Sequence, residues 1–444
     1  MKDKSYADNK VSGIENINDI IVAVDLGSSH LTMMAGRMLP DKTIEILDVE
    51  RELCRGLAVK GLIDNPTEVA NRLVRMSKLL KNRLNLTEPI NRIFVSLGGK
   101  KLQKTDVESE RSLEPINHVS EKCLREMEKE CRIKFEQRYP ELSVAEVIWG
   151  TFILDNKTET TEPMDKKAKD IKGIYEVYYG PAEMRKQWEK AINQQDQLQV
   201  ACYFVNTEAL RTLLLNNSEE QEGCAIINLG SDTTTYCAYH HGKLLDLLVV
   251  PYGSHNITKA IAYKATSNDD AEKLKKRFTS LVTPQESKSI RVNYVMNPDE
   301  DIFYSTDKLS NIAKAECDFI FEPIIERINA NIEILEDKTL YITGGGALQK
   351  GLIEYLQDKV QMNVQMSTFI DRLSEKTDDK YASPEYAQVI GTMLLGADFI
   401  DSFPQVTTRQ QTPKGKKKDK DKSFLDHIAN LFKDTNDFND TDNL

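Results

Sequence analysis

The sequence predicts an α/β protein with two similar halves that face a ligand cleft. An apolar strand over residues 21–24 ends at Asp25 and breaks into a Gly-Ser-Ser turn. The same arrangement returns where residues 224–227 run into Asn228 and a Gly-Ser-Asp turn. A chain of 444 residues is also long enough for at least two hydrophobic cores. Together these observations predict a duplicated domain.

Further strands accompany each turn. Residues 31–36 and 43–52 have the composition of two more strands, which makes the first unit a β-meander. After the second turn another strand runs to Tyr239. The separation of Asp25 and Asn228 is too long for a solenoid repeat but suits a duplicated domain of about 200 residues.

The two turns have the chemistry of phosphate sites. Glycine backbone and hydroxyl side chains at a strand end provide N–H and O–H donors that converge on a small concavity. An acidic residue just before such a turn, here Asp25, can hold the water shell of Mg²⁺. One turn of this kind alone is more typical of a simple hairpin, and the duplication favours the phosphate interpretation.

A third glycine cluster follows a strand end at residues 340–342. Gly344, Gly345, Gly346 and Ala347 come next, and residues 348–359 have a helical pattern. Adjacent glycines let the backbone approach a flat ring without a Cβ clash, although a Gly-Gly-Gly segment alone could be a flexible joint.

Composition excludes several classes of function. The net charge of -11 argues against general nucleic-acid binding, so we expect no nucleic-acid partner. The seven cysteines are scattered without a Cys-x-x-Cys pair, which favours a reducing cytoplasm over a zinc or redox centre. No apolar run reaches the roughly 18 residues that span a bilayer, so we expect neither a spanning helix nor export.

The three motifs resemble those of the actin-like ATPase superfamily, which includes actin, Hsp70 and sugar kinases. In chain order, its phosphate-1, phosphate-2 and adenosine motifs correspond to strand-D-x-G-S-S, the second turn and T-G-G-G-A. Two further segments are similar to the FtsA family of bacterial cell-division proteins. They are R-G-x-x-x-x-G-x-x-D over residues 55–64 and A-E-x-L-K over residues 271–275. The resemblance implies an actin/Hsp70-like ATPase fold with an inserted α+β subdomain.

The resemblance implies ATP and Mg²⁺ as ligands. It places Asp25 near the metal through water, and Glu272 and Lys275 near the ribose and adenine, although these two are also typical of an exposed charged helix. The implied nucleotide-binding residues are Asp25, Gly27, Ser28, Ser29, Asn228, Gly230, Ser231, Asp232, Thr233, Thr234, Glu272, Lys275, Gly344, Gly345, Gly346 and Ala347.

Two departures from the family bear on catalysis. Asn228 and Asn206 stand where the family usually has carboxylates. Loss of an outer-shell carboxylate commonly lowers metal affinity or activity about 10- to 100-fold, so we expect at most slow ATP hydrolysis. Glu208 lies close to Asn206 in the sequence and could compensate. No catalytic residue is assigned.

The resemblance also implies a division into subdomains. Residues 1–18 form an N-terminal extension that is predicted to be disordered, and residues 434–444 form an acidic tail. Between them we expect subdomain 1A at 19–88, 172–218 and 374–402, subdomain 1C at 89–171, subdomain 2A at 219–253 and 336–373, subdomain 2B at 254–335, a Lys-rich flexible linker at 403–422 and an amphipathic helix at 423–433.

The C-terminal segment has the pattern of a membrane tether. Six lysines between residues 414 and 422 precede large apolar side chains at helical spacing. The predicted membrane-inserting residues are Phe424, Leu425, Ile428, Leu431 and Phe432. Periodicity alone is equally typical of a helix that docks in a protein groove, and the lysines favour an anionic membrane.

By resemblance, we expect a cell-division protein that binds the C-terminal tail of FtsZ, self-associates into actin-like filaments and meets other division proteins. It would lie peripherally on the cytoplasmic face of the inner membrane at the division site. The alternative is a small-molecule kinase or a chaperone-like ATPase of the same superfamily. A kinase should show an acidic base beside a substrate pocket, and an Hsp70-like chaperone needs a peptide-binding domain after residue 402.

Overall fold

A computed structural model describes residues 20–402 except 55, 196, 264–265, 283–286 and 294–300. The predicted N-terminal extension, linker, amphipathic helix and acidic tail lie outside the described residues. The chain divides after Gly396 into a large unit and a second unit, of which the structure describes residues 397–402.

The first half begins with the predicted meander. Its elements are β1 (Ile21–Leu26), β2 (His30–Met38), β3 (Ile44–Leu53), the short pair β4 (Ala58–Val59) and β5 (Leu62–Ile63), α1 (Pro66–Arg83) and β6 (Arg92–Leu97). Helix α1 begins at Pro66 because Asn65 caps it, accepting a hydrogen bond from the Glu68 N–H. Val69, Leu73 and Met76 recur at helical spacing and are buried.

An inserted unit follows, and it has a sheet and a core of its own. It consists of β7 (Gln103–His118), α2 (Glu121–Arg138), β8 (Leu142–Leu154), β9 (Thr158–Thr160) and β10 (Lys167–Pro181). The strands form a four-stranded sheet in the order β7-β10-β8-β9. Leu124 and Met127 of α2 are buried in one core with Tyr175 and Val177 of β10.

The boundaries of this insertion differ from the predicted 89–171. Strand β6 pairs in parallel with β1, so residues 92–97 belong to the sheet of the first half. Strand β10 continues without a break to Pro181, pairing with β7 and β8, and so carries the insertion past residue 171.

The first half resumes with α3 (Glu183–Ile192), β11 (Gln199–Val205), α4 (Asn206–Leu214) and α5 (Asn217–Glu222). Its sheet has the order β11-β6-β1-β2-β3. Strands β1, β2 and β3 are antiparallel neighbours, whereas β6 and β11 run parallel to β1.

The second half has a sheet of the same design. Its elements are β12 (Cys224–Leu229), β13 (Thr234–His240), β14 (Lys243–Val250), α6 (Ser254–Ala262), α7 (Asn268–Phe278), β15 (Ser289–Asn293), β16 (Asp301–Ser305), α8 (Thr306–Ala330), α9 (Ile332–Leu335), β17 (Thr339–Thr343), α10 (Leu352–Gln357), β18 (Asn363–Met366) and α11 (Ala387–Ser402). The sheet order is β14-β13-β12-β17-β18, with β17 and β18 parallel to β12. Strand for strand, this repeats the first half, as the duplicated turns predict.

The predicted helix over residues 348–359 is shorter in the structure. Gly345–Leu348 form a 3-10 turn, and α10 begins only at Leu352. Gly351 separates the two with a left-handed φ of 74°, a conformation that glycine adopts without strain.

Candidate functional site: a cleft between two matching turns

The first turn is held in place by backbone and thiol hydrogen bonds. The Gly27 N–H donates to the His30 carbonyl at 2.9 Å, which closes the turn after β1. The Cys54 N–H donates to the Ser29 carbonyl at 2.9 Å, and the Cys54 thiol donates to the Gly27 carbonyl at 3.0 Å. Burial raises the pKa of this thiol to about 12, so it remains a donor at neutral pH. Because two of its carbonyls are occupied, the turn is rigid before any ligand binds.

The second turn repeats this construction with backbone donors. The Gly230 N–H donates to the Thr233 carbonyl at 3.0 Å. The first N–H groups of α6, from Ser254 and His255, donate to the Gly230 and Ser231 carbonyls at 2.9 Å each. The amide groups of α6 therefore stabilise the second turn as Cys54 stabilises the first.

Both turns line one cleft of about 1070 Å³. This volume is at the upper end of the range typical of small-molecule sites. All of the predicted nucleotide-binding residues line the cleft except Thr234 and Ala347. The Thr234 hydroxyl donates to the Tyr252 carbonyl at 2.8 Å inside β13, and Ala347 is buried in the core of the second half. These two side chains therefore stabilise the fold and do not line the cleft. Thr234 begins β13, and Ala347 belongs to the core of the second half.

The glycine cluster has two separate roles. Gly344 has a φ of 87°, and a Cβ there would lie 2.7 Å from the Leu229 carbonyl oxygen. A Cβ on Gly346 would lie 2.8 Å from the same oxygen. Gly345 differs, since the nearest atom to its Cβ position is the Glu385 Cβ at 3.9 Å. Gly344 and Gly346 thus let the segment pack on the end of β12, and Gly345 leaves open space.

Glu272 and Lys275 of α7 are paired with each other at the cleft. Their carboxylate and ammonium groups lie 2.7 Å apart, and the Thr258 hydroxyl donates to the same carboxylate at 2.5 Å. Lys275 also donates to the Ser254 carbonyl at 3.2 Å, beside the second turn. Lys275 is buried, so the pair is not the exposed helix pair that the charged neighbours also suggested.

Gln388, at the start of α11, was not predicted. Its Nε2 donates to Asp25 Oδ1 at 3.0 Å and to Ser96 Oγ at 3.1 Å, while its Oε1 accepts from Asn228 Nδ2 at 3.0 Å. This side chain therefore connects the residues that precede the two turns. Removal from water raises the pKa of Asp25 to about 6, against a smaller lowering by the Arg51 guanidinium.

Arg51 and Glu385 form a second unpredicted contact at the cleft. The Arg51 guanidinium donates to the Glu385 carboxylate at 2.6 Å and lies 5.1 Å from the centre of the Tyr386 ring. Both charged residues line the cleft. They link β3 to the segment that precedes α11, and no motif in the sequence indicates this pairing.

The chain matches known proteins over this fold. The family model described as cell division protein FtsA matches residues 225–391, which include the second turn and the glycine cluster. Over these residues the chain is similar to the FtsA family. Relatives named cell division protein FtsA include that of Porphyromonas gingivalis, 22% identical over 79% of this chain and 74% of the relative. That of Bacillus subtilis is 23% identical over 80% of this chain and 79% of the relative.

Solved structures share the fold of this protein. A chain of the PilM-PilN type IV pilus biogenesis complex aligns with a TM-score of 0.59 at 14% identity, covering 86% of this chain and 99% of its own. MreB5 of Spiroplasma citri bound to ADP aligns with a TM-score of 0.50 at 12% identity, covering 88% of this chain and 99% of its own. The fold is that of the actin-like ATPases.

Asn206 lies at the cleft, as the first residue of α4 directly after β11. It is buried, and its side chain packs against Gly98, where a Cβ would be 2.6 Å from Asn206 Nδ2. Its Oδ1 has no hydrogen-bond partner among the described residues. An unpartnered buried oxygen of this kind is available to a ligand or to water.

The contacts of Glu208 do not support the compensation that its sequence position left open. Its carboxylate accepts from Arg211 at 3.2 Å and from the Tyr178 hydroxyl at 3.2 Å, and Glu208 does not line the cleft. It lies on the first turn of α4, where it connects the first half to the insertion.

The donor set suits a nucleotide better than a tightly held metal. Within the described part of the chain, no group of three or more His, Cys, Asp or Glu side chains is placed to hold a metal ion. Two of the carboxylates at the cleft, Glu272 and Glu385, are paired with cations. Asp25 and Asp232 also line the cleft, and Asp25 accepts a hydrogen bond from the Gln388 amide.

One partly buried carboxyl near the site gives the protein a testable pH dependence. The Val205 N–H, next to Asn206, donates to Glu146 Oε2 at 2.6 Å, and burial raises the pKa of Glu146 from 4.5 to about 8. A raised folded-state pKa means that this carboxyl stabilises the fold fully below about pH 4.5 and loses that contribution as the pH rises to 8.

Glu146→Gln is therefore expected to flatten the pH dependence of stability. In the wild type, the ionisation of Glu146 lowers the free energy of unfolding by at most about 1.4 kcal/mol per pH unit between pH 5 and pH 8, and the substitution removes this decrease. Urea unfolding of both proteins at several pH values measures it, with the exposed Glu141→Gln as the control for loss of one charge. Parallel pH profiles of wild type and Glu146→Gln would contradict the assignment.

No helix in the described part of the chain is both long enough and apolar enough to cross a bilayer.

Proposed function

We propose that this protein acts as a member of the FtsA family, binds ATP in the cleft between its halves and uses the bound state to control assembly on a membrane during cell division. The observation that carries the proposal is the pair of matching turns, each closed by an i to i+3 hydrogen bond and each lining the same cleft. Two rigid turns that face one cleft suit a polyphosphate, because free amide and hydroxyl donors can approach it from both sides.

The rest of the cleft suits the nucleoside. Gly345 leaves open backbone beside the second turn, where a flat base can lie without a Cβ clash. The Glu272 carboxylate can accept hydrogen bonds from ribose hydroxyls, and Lys275 keeps it in place. Phosphate contacts would come from the two turns, with Mg²⁺ carried on the phosphates and held by Asp25 through water.

Slow hydrolysis is part of the proposal. Asn206 and Asn228 place neutral amides at the cleft, and an amide can orient water but cannot accept its proton as a carboxylate does. The nucleotide would then act as a conformational switch with little turnover.

The membrane function is proposed from the C-terminal sequence and from the family. Each lysine near an anionic leaflet contributes about 1 kcal/mol, and each large apolar side chain adds roughly 1.5–3 kcal/mol when fully buried. The stripe from Phe424 to Phe432 and the lysines before it therefore support reversible attachment to the cytoplasmic face of the inner membrane.

The partners are proposed from the FtsA relatives. We propose that the protein binds the C-terminal tail of FtsZ on residues 254–335, self-associates into filaments and contacts other division proteins at the division site. Lys259 and Lys276, two exposed cations of this region, line the nucleotide cleft. The tail surface is therefore expected to use other residues of the segment.

Vesicle sedimentation with purified FtsZ tests the proposal. The full chain with ATP is expected to sediment with anionic vesicles and to bring FtsZ with it, whereas FtsZ alone or with neutral vesicles stays in the supernatant. FtsZ left in the supernatant while the chain sediments would contradict the FtsZ assignment. A chain that itself stays in the supernatant would contradict the tether.

A further inference from the structure

Gln388 and Asn228 form a bridge between the two halves of the cleft. Asp25 is the penultimate residue of β1, and Asn228 is the penultimate residue of β12, two residues before the turn glycine in each case. Gln388 contacts both at 3.0 Å. Its main chain is fixed as well, since the Thr392 hydroxyl donates to the Gln388 carbonyl at 2.8 Å.

The donors and acceptors of this bridge permit one arrangement. An ionised Asp25 can only accept, so Gln388 must present its NH₂ group to Asp25, and that nitrogen also donates to Ser96 Oγ. The Gln388 carbonyl oxygen then faces residue 228 and requires a donor there. Asn228 provides it through Nδ2. An aspartate at position 228 would bring two acceptors together.

The bridge also determines the charge between the turns. With Asn228, the two equivalent positions carry one carboxylate, Asp25, and that carboxylate already has an N–H donor. With aspartate at both positions, two like charges would face one cleft, and a divalent cation would be the natural way to neutralise them. Positions 25 and 228 therefore carry one negative charge between them, and the Gln388 amide contacts both side chains.

We propose that the Gln388–Asn228 amide bridge positions the two phosphate turns without a divalent cation, so that nucleotide affinity depends only weakly on Mg²⁺. The proposal rests on the proposed function, because it concerns the same nucleotide cleft. It makes Gln388 a positioning residue, which acts on the phosphates through the two turns.

The test is the ratio of two ATP dissociation constants, one measured in EDTA and one in Mg²⁺, with the full chain. For the wild type we expect this ratio to stay below about threefold. For Asn228→Asp we expect at least about tenfold, the usual effect of a carboxylate that supports a metal. A wild-type ratio above tenfold, or equal ratios in both proteins, would overturn the proposal.

Two more variants separate positioning from simple loss of packing. Gln388→Glu adds a carboxylate beside Asp25 and is expected to raise the ratio, as Asn228→Asp does. The matched control Gln365→Glu makes the same change on the exposed surface of β18 and should leave the ratio at the wild-type value. If Asn228→Asp does not fold, the wild-type ratio and Gln388→Glu still decide the question.

The outcomes separate the two proposals. ATP that binds in neither buffer would refute the proposed function, whereas tight binding only with Mg²⁺ would refute the role of the bridge alone.

Discussion

Gly344→Ala is expected to destabilise the fold, whereas Gly345→Ala is expected to weaken nucleotide binding in a stable protein. At Gly344 the φ of 87° costs a residue with a Cβ about 1–2 kcal/mol, and overlap with the end of β12 adds a similar amount or more. We expect a loss of about 2–4 kcal/mol in the free energy of unfolding.

Gly345→Ala is the matched control for this loss. Its Cβ would lie 3.9 Å from the Glu385 Cβ, an ordinary contact, so stability should stay within about 0.5 kcal/mol of the wild type. A methyl group that projects into the cleft should still weaken ATP binding by about tenfold, or 1.4 kcal/mol. Urea unfolding and ATP titration of both variants measure the two effects. Equal stability of the two variants would contradict the packing described for this segment.

Replacing Phe424 and Phe432 by aspartate is expected to abolish vesicle binding. Two large apolar side chains contribute together about 3 kcal/mol or more when buried, so their loss lowers membrane affinity by more than about a hundredfold. The added charges would also lie against an anionic surface. Sedimentation with anionic vesicles measures the effect, and ATP affinity of the same variant should equal that of the wild type.

The control for added charge is His427→Asp with Asn430→Asp. These two positions lie off the predicted apolar stripe, so the same number of new carboxylates is placed away from the acyl boundary. If the phenylalanine variant still sediments as well as the wild type, the segment is better explained as a protein-docking helix.

The two turns and their sheets were predictable because strand and turn chemistry is local. An apolar strand that ends in Gly-Ser is recognisable without tertiary information, and its repetition at Gly27 and Gly230 indicated the duplicated sheet. The insertion boundary was not predictable in the same way. Residues 167–181 form the single strand β10, which pairs with the insertion sheet along its length. The strand therefore continues past residue 171, the predicted end of the insertion.

The bridge through Gln388 and the Arg51–Glu385 pair could not be predicted from local patterns. Gln388 is separated by 363 positions from Asp25 and by 160 from Asn228, and a glutamine at a helix start carries no motif. Glu208 is the reverse case, a residue that is close to Asn206 in the sequence but does not line the cleft. It lies two positions after Asn206, but on a helix those two side chains point in different directions, and Arg211 holds the Glu208 carboxylate away from the cleft.

A calorimetric titration with ATP tests the central claim, that the two matching turns form a nucleotide site. We predict one ATP per chain with micromolar affinity. Ser28→Glu, which places a carboxylate in the first turn, should abolish this binding, whereas the same change at the exposed Ser287 should not. Absence of binding at millimolar ATP, or equal affinity of wild type and Ser28→Glu, would contradict the account.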